Sequence, residues 1–143
     1  MRVIVFVKAT EDSEAGALPS PELIVAMGKY NEELIEAGIM VGGDGLKPSS
    51  QAKRIAFDGA SRKVIDGPFA ETRELVSGFW IWEVKDLDEA IAWAKRCPNP
   101  MPGPSELELR PVISMEDFAE TMTPEGEAIH ERNRQRLDPT SSG

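Results

Sequence analysis

Residues 75–84 read Leu-Val-Ser-Gly-Phe-Trp-Ile-Trp-Glu-Val, and this apolar stretch decides the fold. Its β-branched and aromatic residues favour an extended strand, in which successive side chains point to opposite faces. Phe79 and Ile81 then share one face. Trp80 and Trp82 share the other. Because both faces are apolar, we expect a central strand that needs cover on each side.

Three further strands follow from the same reasoning. Residues 3–7 (Val-Ile-Val-Phe-Val) predict a second central strand that is covered on both faces. Residues 106–110 alternate polar and apolar side chains and precede Pro111, which is typical of an edge strand because proline cannot donate to the ladder. Residues 39–41 predict a short strand, which we expect to end in a glycine-rich loop at residues 42–46.

Three helices have recognisable start signals, with Ser20, Asp86 and Thr123 at the N-cap positions. Pro21 suits the first turn of the first helix. Helical spacing predicts that the first helix buries Leu23, Met27, Tyr30, Leu34 and Ala37. It predicts that the second helix buries Leu87, Ile91 and Ala94, flanked by Ala90 and Trp93.

A β-hairpin is predicted between the second and third core strands. Residues 53–57 and 62–65 are short β-prone runs, and the Asp-Gly pair in residues 58–61 is a strong turn signal. The hairpin is also the main basic patch of the chain, through Lys53, Arg54, Arg62 and Lys63.

The order of elements predicts an α+β fold with a ferredoxin-like βαββαβ plan and an inserted hairpin. In this plan the first and third core strands are central and the fourth lies at an edge. The two helices cover only one face of such a sheet. We expect the other face to carry Trp80 and Trp82, and because exposing them would be costly, we infer an isologous homodimer that buries them.

Residues 66–74 (Asp-Gly-Pro-Phe-Ala-Glu-Thr-Arg-Glu) predict a polar loop before the strand at residues 75–84, and we call them the 66–74 loop. Asp-Gly-Pro favours a turn, and Phe69 is expected to anchor the loop. If the segment is extended, Glu71 and Arg73 share a face and can converge on a ligand. The alternative is a surface connection whose charges are simply solvated.

The candidate site is centred on this loop. Asp66 and Glu71 are the candidate catalytic proton acceptors, and Arg73 is the candidate group for an anionic or polarised oxygen. The other candidate ligand-binding residues are Phe69, Glu74, Asp44 and Tyr30. Asp44 either faces a cleft or makes an Asx turn. Tyr30 belongs to the buried stripe of its helix, and a hydroxyl that reaches the rim of a cleft is the second interpretation.

Length and composition indicate one globular domain at residues 1–113, followed by a helical extension and a disordered tail within residues 114–143. With Lys+Arg 16 and Asp+Glu 25, the net charge is −9, so we expect no nucleic-acid partner. No stretch is long and apolar enough to predict a membrane span. The single cysteine, Cys97, indicates a structural thiol and a reducing, cytoplasmic compartment. No ligand cluster at metal spacing predicts a metal, and no cofactor is expected.

The 66–74 loop resembles the signature of the DGPFAETKE family within the YCII-related superfamily, with Arg73 where lysine is usual. The resemblance extends over residues 1–112 and includes the glycine-rich segment at 42–46. It implies a dimeric α/β barrel with polar residues in a cleft. Some YCII-like relatives resemble enzymes that use a His–Asp pair, but the only histidine here is His130, outside the first helix.

Two functions therefore remain open. The first is a dimeric small-molecule enzyme or binding protein for a small anionic or phenolic ligand. The second is a regulatory accessory or sensor module with a protein partner, in which the 66–74 loop acts as a structural clamp. The resemblance implies this second role through an association of the DGPF branch with extracytoplasmic-function sigma factors.

Overall fold

The computed structural model of the protein describes residues 1–138, so residues 139–143 of the predicted tail lie outside it. It shows a mixed α+β fold with antiparallel sheets. The chain divides into a first unit, Met1–Val112, and a second unit that begins at Ile113.

The first unit contains two antiparallel sheets. The strands are β1 Arg2–Lys8, β2 Met40–Gly45, β3 Lys53–Asp58, β4 Ser61–Asp66, β5 Val76–Glu83 and β6 Leu107–Pro111. The four-stranded sheet has the order β2-β5-β1-β6, and β3 and β4 form the hairpin. The central positions of β1 and β5 and the edge position of β6 are confirmed, as is the hairpin. Within the described residues the larger sheet is open and does not close into a barrel.

Four α-helices lie in the described chain, at α1 Glu11–Glu14, α2 Pro21–Glu36, α3 Leu87–Lys95 and α4 Pro124–Leu137. The three predicted N-caps are confirmed. The side chain of Ser20 accepts a hydrogen bond from the Leu23 amide at 3.1 Å, and that of Asp86 accepts one from the Glu89 amide at 2.9 Å. Thr123 caps α4, which forms the second unit together with a short 3-10 helix at Met115–Phe118.

The core lies between the sheet and the two long helices of the first unit, and this corrects one prediction. Trp80 and Trp82 are 6% and 0% exposed, and they cluster with Tyr30 and Leu34 of α2 and with Ala90 of α3. The tryptophans therefore occupy the face that the helices cover. The face opposite α2 and α3, which we call the outer face, takes the alternate residues of β1 and β5.

The glycine-rich segment is also different from its prediction, because it continues β2 instead of forming a loop. Gly43 pairs with Trp80 and Asp44 pairs with Phe79. A Cβ atom on Gly43 would lie 2.6 Å from the Phe79 carbonyl oxygen, so glycine allows the two backbones to approach closely.

Three smaller predictions fail for local reasons. The connection after β1 contains α1, which begins at an N-cap made by Thr10. In α3, Leu87 and Ile91 are exposed, because the helix turns the small and fully buried Ala90 towards the sheet. Ala37 is exposed because α2 ends at Glu36.

Candidate functional site

A cleft of about 1190 Å³ opens in the first unit. One wall is α2, the floor comes from β2 and β5, and the remaining sides are most of residues 12–20 and the proline-rich residues 99–102. Its volume slightly exceeds the range of about 300–1000 Å³ that is typical of small-molecule sites. Its lining is largely apolar, with Leu23, Met27 and Met40 among its residues.

Helix α2 is held against the sheet by its buried residues. The ring of Tyr30 meets that of Trp80 edge to face, with 6.1 Å between centroids. The Tyr30 hydroxyl donates a hydrogen bond of 2.6 Å to the Trp93 carbonyl, which ties α2 to α3. These contacts fix the helix that forms the cleft wall.

Gly28 keeps part of this wall open. It lies in the interior of the 16-residue α2, where glycine costs about 0.5–1 kcal/mol relative to alanine. A Cβ atom at this position would meet no atom within 4 Å, and Gly28 lines the cleft. The glycine therefore leaves space where any other residue would place a side chain.

Asn31, one helical turn further along α2, is the polar group on this wall. Its Oδ1 accepts a hydrogen bond of 2.9 Å from Nε1 of Trp80. Both residues line the cleft. The side chain of Asn31 is thus held by a contact from the floor of the same cleft.

Helix α1 forms another side of the cleft, and its last residue, Glu14, ties it to the segment after β2. The Glu14 carboxylate accepts hydrogen bonds from the amide of Ser49, at 2.9 Å, and from its hydroxyl. Ser49 is buried, and its hydroxyl oxygen also accepts a bond of 3.1 Å from the Phe69 amide. The 66–74 loop therefore supports, through Ser49, a residue that lines the cleft.

The comparisons with known proteins address the family. The YCII-related domain family matches residues 1–116 of the chain. The chain belongs to the YCII-related domain family. An uncharacterized protein of Rhizobium meliloti (strain 1021) is 35% identical over 78 residues, which is 54% of this chain. The match spans 63% of that relative, less than two thirds of its length.

In this YCII-related protein the 66–74 loop lies outside the cleft. Asp66 is 71% exposed and pairs with Lys53 at 2.6 Å. Phe69 is half-buried under the Arg54 guanidinium, 3.6 Å from its ring centroid. None of the five predicted residues in the loop lines the cleft.

The three remaining charges of the loop do not converge. Residues Thr72–Glu74 form a 3-10 turn, so the extended geometry that would align Glu71 with Arg73 is not present. Glu71, Arg73 and Glu74 are exposed, and within residues 1–138 none of their side chains makes an ion pair.

Asp44 is the one predicted site residue of the YCII-related protein that lines the cleft, where it lies near the end of β2. Tyr30 does not line it, because its ring is in the core and its hydroxyl is bonded to the Trp93 carbonyl. Burial raises the pKa of Tyr30 well above its usual value, so the hydroxyl stays protonated at neutral pH.

Sequence reasoning missed Gly28, Asn31 and Lys47, all of which line the cleft. A signal for the first two was present. Gly28 and Asn31 are three residues apart, on a helix whose buried stripe passes through Tyr30. Helical spacing therefore places both residues on one side of α2, next to the stripe that packs on the sheet.

Residues 1–138 contain neither a membrane-spanning helix nor a cluster of metal ligands. No helix in this range is long and apolar enough to cross a membrane. No group of three or more His, Cys, Asp or Glu side chains in the same range is placed to hold a metal ion.

Proposed function

We propose that this YCII-related protein binds a small organic molecule in the cleft, as an enzyme or as a binding protein. The observation that carries the proposal is the cleft itself, about 1190 Å³ with a largely apolar lining and a few polar groups. The glycine at position 28 adds support, because it leaves one wall open at a cost to helix stability.

One cationic group at the cleft supports a small anionic or phenolic ligand. Lys47 lines the cleft, and it makes no ion pair within the described part of the chain. Its ammonium group is therefore available to an anionic oxygen. Asp44 lies on the same lining, as do the carboxylates Asp12 and Glu14, whereas Asp66 and Glu71 do not.

The test is to fill the cleft from Gly28 and measure the binding of 2-naphthoate and 2-naphthol by calorimetry. Gly28→Phe is expected to abolish binding because the ring enters the cleft. Gly28→Ala is the matched control, and it is expected to bind as the wild type does. Equal binding by Gly28→Phe, or no binding of either compound to the wild type, contradicts the proposal.

Arg73→Ala separates the cleft from the 66–74 loop as the ligand site. We expect unchanged binding, since Arg73 is exposed and does not line the cleft. Loss of binding in a folded Arg73→Ala variant would instead place the ligand at the loop, with Asp66 and Glu71 as its acids.

We also propose that the ferredoxin-like first unit forms a homodimer through its outer face, as the DGPF resemblance implies. With the tryptophans covered by helices, the support comes from Ile4, Phe6, Phe79 and Ile81, which alternate with the helix-facing residues of β1 and β5. All four are only half-buried in the single chain. Two such faces packed together complete the burial of both sheets and form a dimeric barrel.

A regulatory module with a protein partner is the second candidate function, and the hairpin favours it. Ile55, Phe57 and Val64 share one face of the hairpin and are 48%, 71% and 60% exposed. An apolar face on a two-stranded arm is suited to a protein contact. If a purified extracytoplasmic-function sigma factor binds the protein and Phe57→Ser weakens that binding at least about tenfold, about 1.4 kcal/mol, this role gains support. Absence of binding removes it.

We propose a reducing compartment, the cytoplasm, because Cys97 is the single cysteine of the sequence and cannot form an internal disulfide. The thiol is half-buried and donates to the Pro98 carbonyl at 3.2 Å. Burial raises the pKa of Cys97 to about 11, so the group is a protonated, structural thiol at neutral pH.

A further inference from the structure

The orientation of the Asn31 amide is fixed by its neighbour. An indole N–H can only donate, so the atom of Asn31 that lies 2.9 Å from Trp80 Nε1 must be the oxygen. The nitrogen, Nδ2, is then the other end of the amide. It carries two N–H groups, and neither has an acceptor within residues 1–138.

A second asparagine on the cleft shows the contrast. Asn99 donates from Nδ2 to the Gly103 carbonyl at 2.9 Å, and its Oδ1 accepts from the Met101 amide at 3.0 Å and from the Ser105 hydroxyl at 2.6 Å. Asn99 therefore holds its own loop together. Asn31 uses only its oxygen, and its donors remain available on a wall that is otherwise apolar.

We propose that Asn31 orients the ligand of the cleft by donating hydrogen bonds from Nδ2 to an acceptor oxygen, and that the ligand is an apolar molecule that carries a carboxylate, carbonyl or phenolate oxygen. This inference rests on the proposed function. Trp80 is the positioning residue, because its indole holds the amide in the orientation that presents Nδ2. The apolar body of the ligand packs against side chains such as Leu23 and Met27.

Asn31→Asp tests the role of the donors with little change in shape. Aspartate still accepts the bond from Trp80, so the contact that holds the side chain is kept, but both N–H groups are lost. Asn133→Asp is the matched control, since it makes the same chemical change and adds the same charge on an exposed residue of α4.

Three probes separate the loss of donors from the added negative charge. They are 2-naphthoate, the neutral ketone 2-acetylnaphthalene, and naphthalene, which has no oxygen. In Asn31→Asp we expect naphthoate binding to weaken at least about tenfold and the ketone about threefold to tenfold, in line with the strength of charged and neutral hydrogen bonds. Naphthalene binding is expected to change less than about twofold, because naphthalene has no oxygen to accept a hydrogen bond from Asn31.

A second measurement observes ligand binding at Asn31 in the wild-type protein. Addition of naphthoate is expected to shift the side-chain NH₂ resonances of Asn31 in a ¹⁵N–¹H spectrum. The spectrum of Asn31→Asp, which lacks that pair of resonances, assigns them.

The possible results have separate meanings. Weaker binding of both oxygen-bearing probes in Asn31→Asp but not in Asn133→Asp, together with the resonance shift, supports the inference. Equal binding of all probes by wild type and Asn31→Asp, or an unmoved Asn31 pair on naphthoate binding, overturns it, and the cleft proposal stands if Gly28→Phe still abolishes binding. If no probe binds the wild type, or Gly28→Phe leaves binding unchanged, the cleft proposal and the inference both fail.

Discussion

Trp80 and Trp82 lie on the same face of β5, with 5.9 Å between their ring centroids, yet their indole N–H groups differ. Trp80 donates to Asn31. Trp82 Nε1 is buried and has no hydrogen-bond partner among residues 1–138. A buried donor without a partner costs about 1–3 kcal/mol, so the two residues contribute differently to stability.

Substitution by phenylalanine measures this difference. Both changes remove the same volume, but Trp80→Phe also loses a hydrogen bond, whereas Trp82→Phe removes an unpaired donor. We expect Trp82→Phe to lower the free energy of unfolding by about 1 kcal/mol less than Trp80→Phe does. Chemical denaturation of the pair checks this, and a larger loss in Trp82→Phe would show that Trp82 Nε1 is paired.

The raised pKa of Cys97 predicts a loss of stability at alkaline pH. Its folded-state pKa of about 11 exceeds the ordinary value of 9.0, so above pH 9 the unfolded chain loses a proton that the folded chain retains. The free energy of unfolding therefore falls between about pH 9 and pH 11, by at most about 2 kcal/mol because water partly reaches the thiol.

Cys97→Ser isolates this effect from the titration of Tyr30, whose raised pKa acts in the same direction. The difference in unfolding free energy between wild type and Cys97→Ser should narrow as the pH rises from 9 to 11. A constant difference across that range would mean that Cys97 titrates normally in the folded protein.

Among the elements, the 66–74 loop is a structural support rather than part of the cleft lining. The Gly67 amide donates to the Ala52 carbonyl at 2.9 Å, and a Cβ atom on Gly67 would lie 1.7 Å from the Ser49 carbonyl oxygen. Together with the bond from Phe69 to Ser49, these contacts fix the residue that holds Glu14 and α1.

Gly67→Ala is therefore expected to displace the segment around Ser49. We expect a loss of about 2–4 kcal/mol in the free energy of unfolding, as is typical when backbone must move. Gly103→Ala, in a loop where a Cβ atom meets nothing, is the matched control and should be near neutral. Equal stability of the two variants in thermal unfolding would remove the clamp role of the loop.

The elements could be predicted from the sequence where the signal is local. The N-caps at Ser20 and Asp86 and the hairpin turn at residues 58–61 involve only neighbouring residues, and all were confirmed. Alternation along residues 75–84 correctly separated Phe79 and Ile81 from the tryptophans. It did not reveal which of these faces the helices cover, because that depends on how the helices pack on the sheet.

The site was harder to predict because it joins distant parts of the chain. Charge density drew attention to Arg73 and Glu71, which are solvated. The cleft instead depends on a glycine, an amide and apolar side chains, whose meaning appears only when α2 lies across β2 and β5. Asn31 and Trp80 are 49 residues apart, so their contact has no signature in either segment alone.

At the level of the whole molecule, the outer face of the first unit is the feature that bears on assembly. The outer face carries apolar residues on β1 and β5 and charged residues on the edge strand β6. The guanidinium carbon of Arg110 on β6 lies 5.8 Å from the ring centroid of Phe6. A face of this kind, half-buried in one chain, is suited to contact with a second copy.

Ile81→Lys tests the proposed dimer. We expect sedimentation to give a dimer for the wild type and a monomer for Ile81→Lys, because a buried, unpaired charge destabilises the interface by several kcal/mol. Ile35→Lys, at an exposed position of α2, makes the same change and should remain dimeric. A monomeric wild-type protein would exclude the dimer.

The binding of a ligand in the cleft is tested most directly by intermolecular NOEs in the complex with 2-naphthoate. We predict NOEs from the naphthalene protons to the methyl groups of Met27 and Met40, which line the cleft from the helix and from the sheet. NOEs to the Phe69 ring without any to these two methionines would place the ligand at the 66–74 loop and contradict the account.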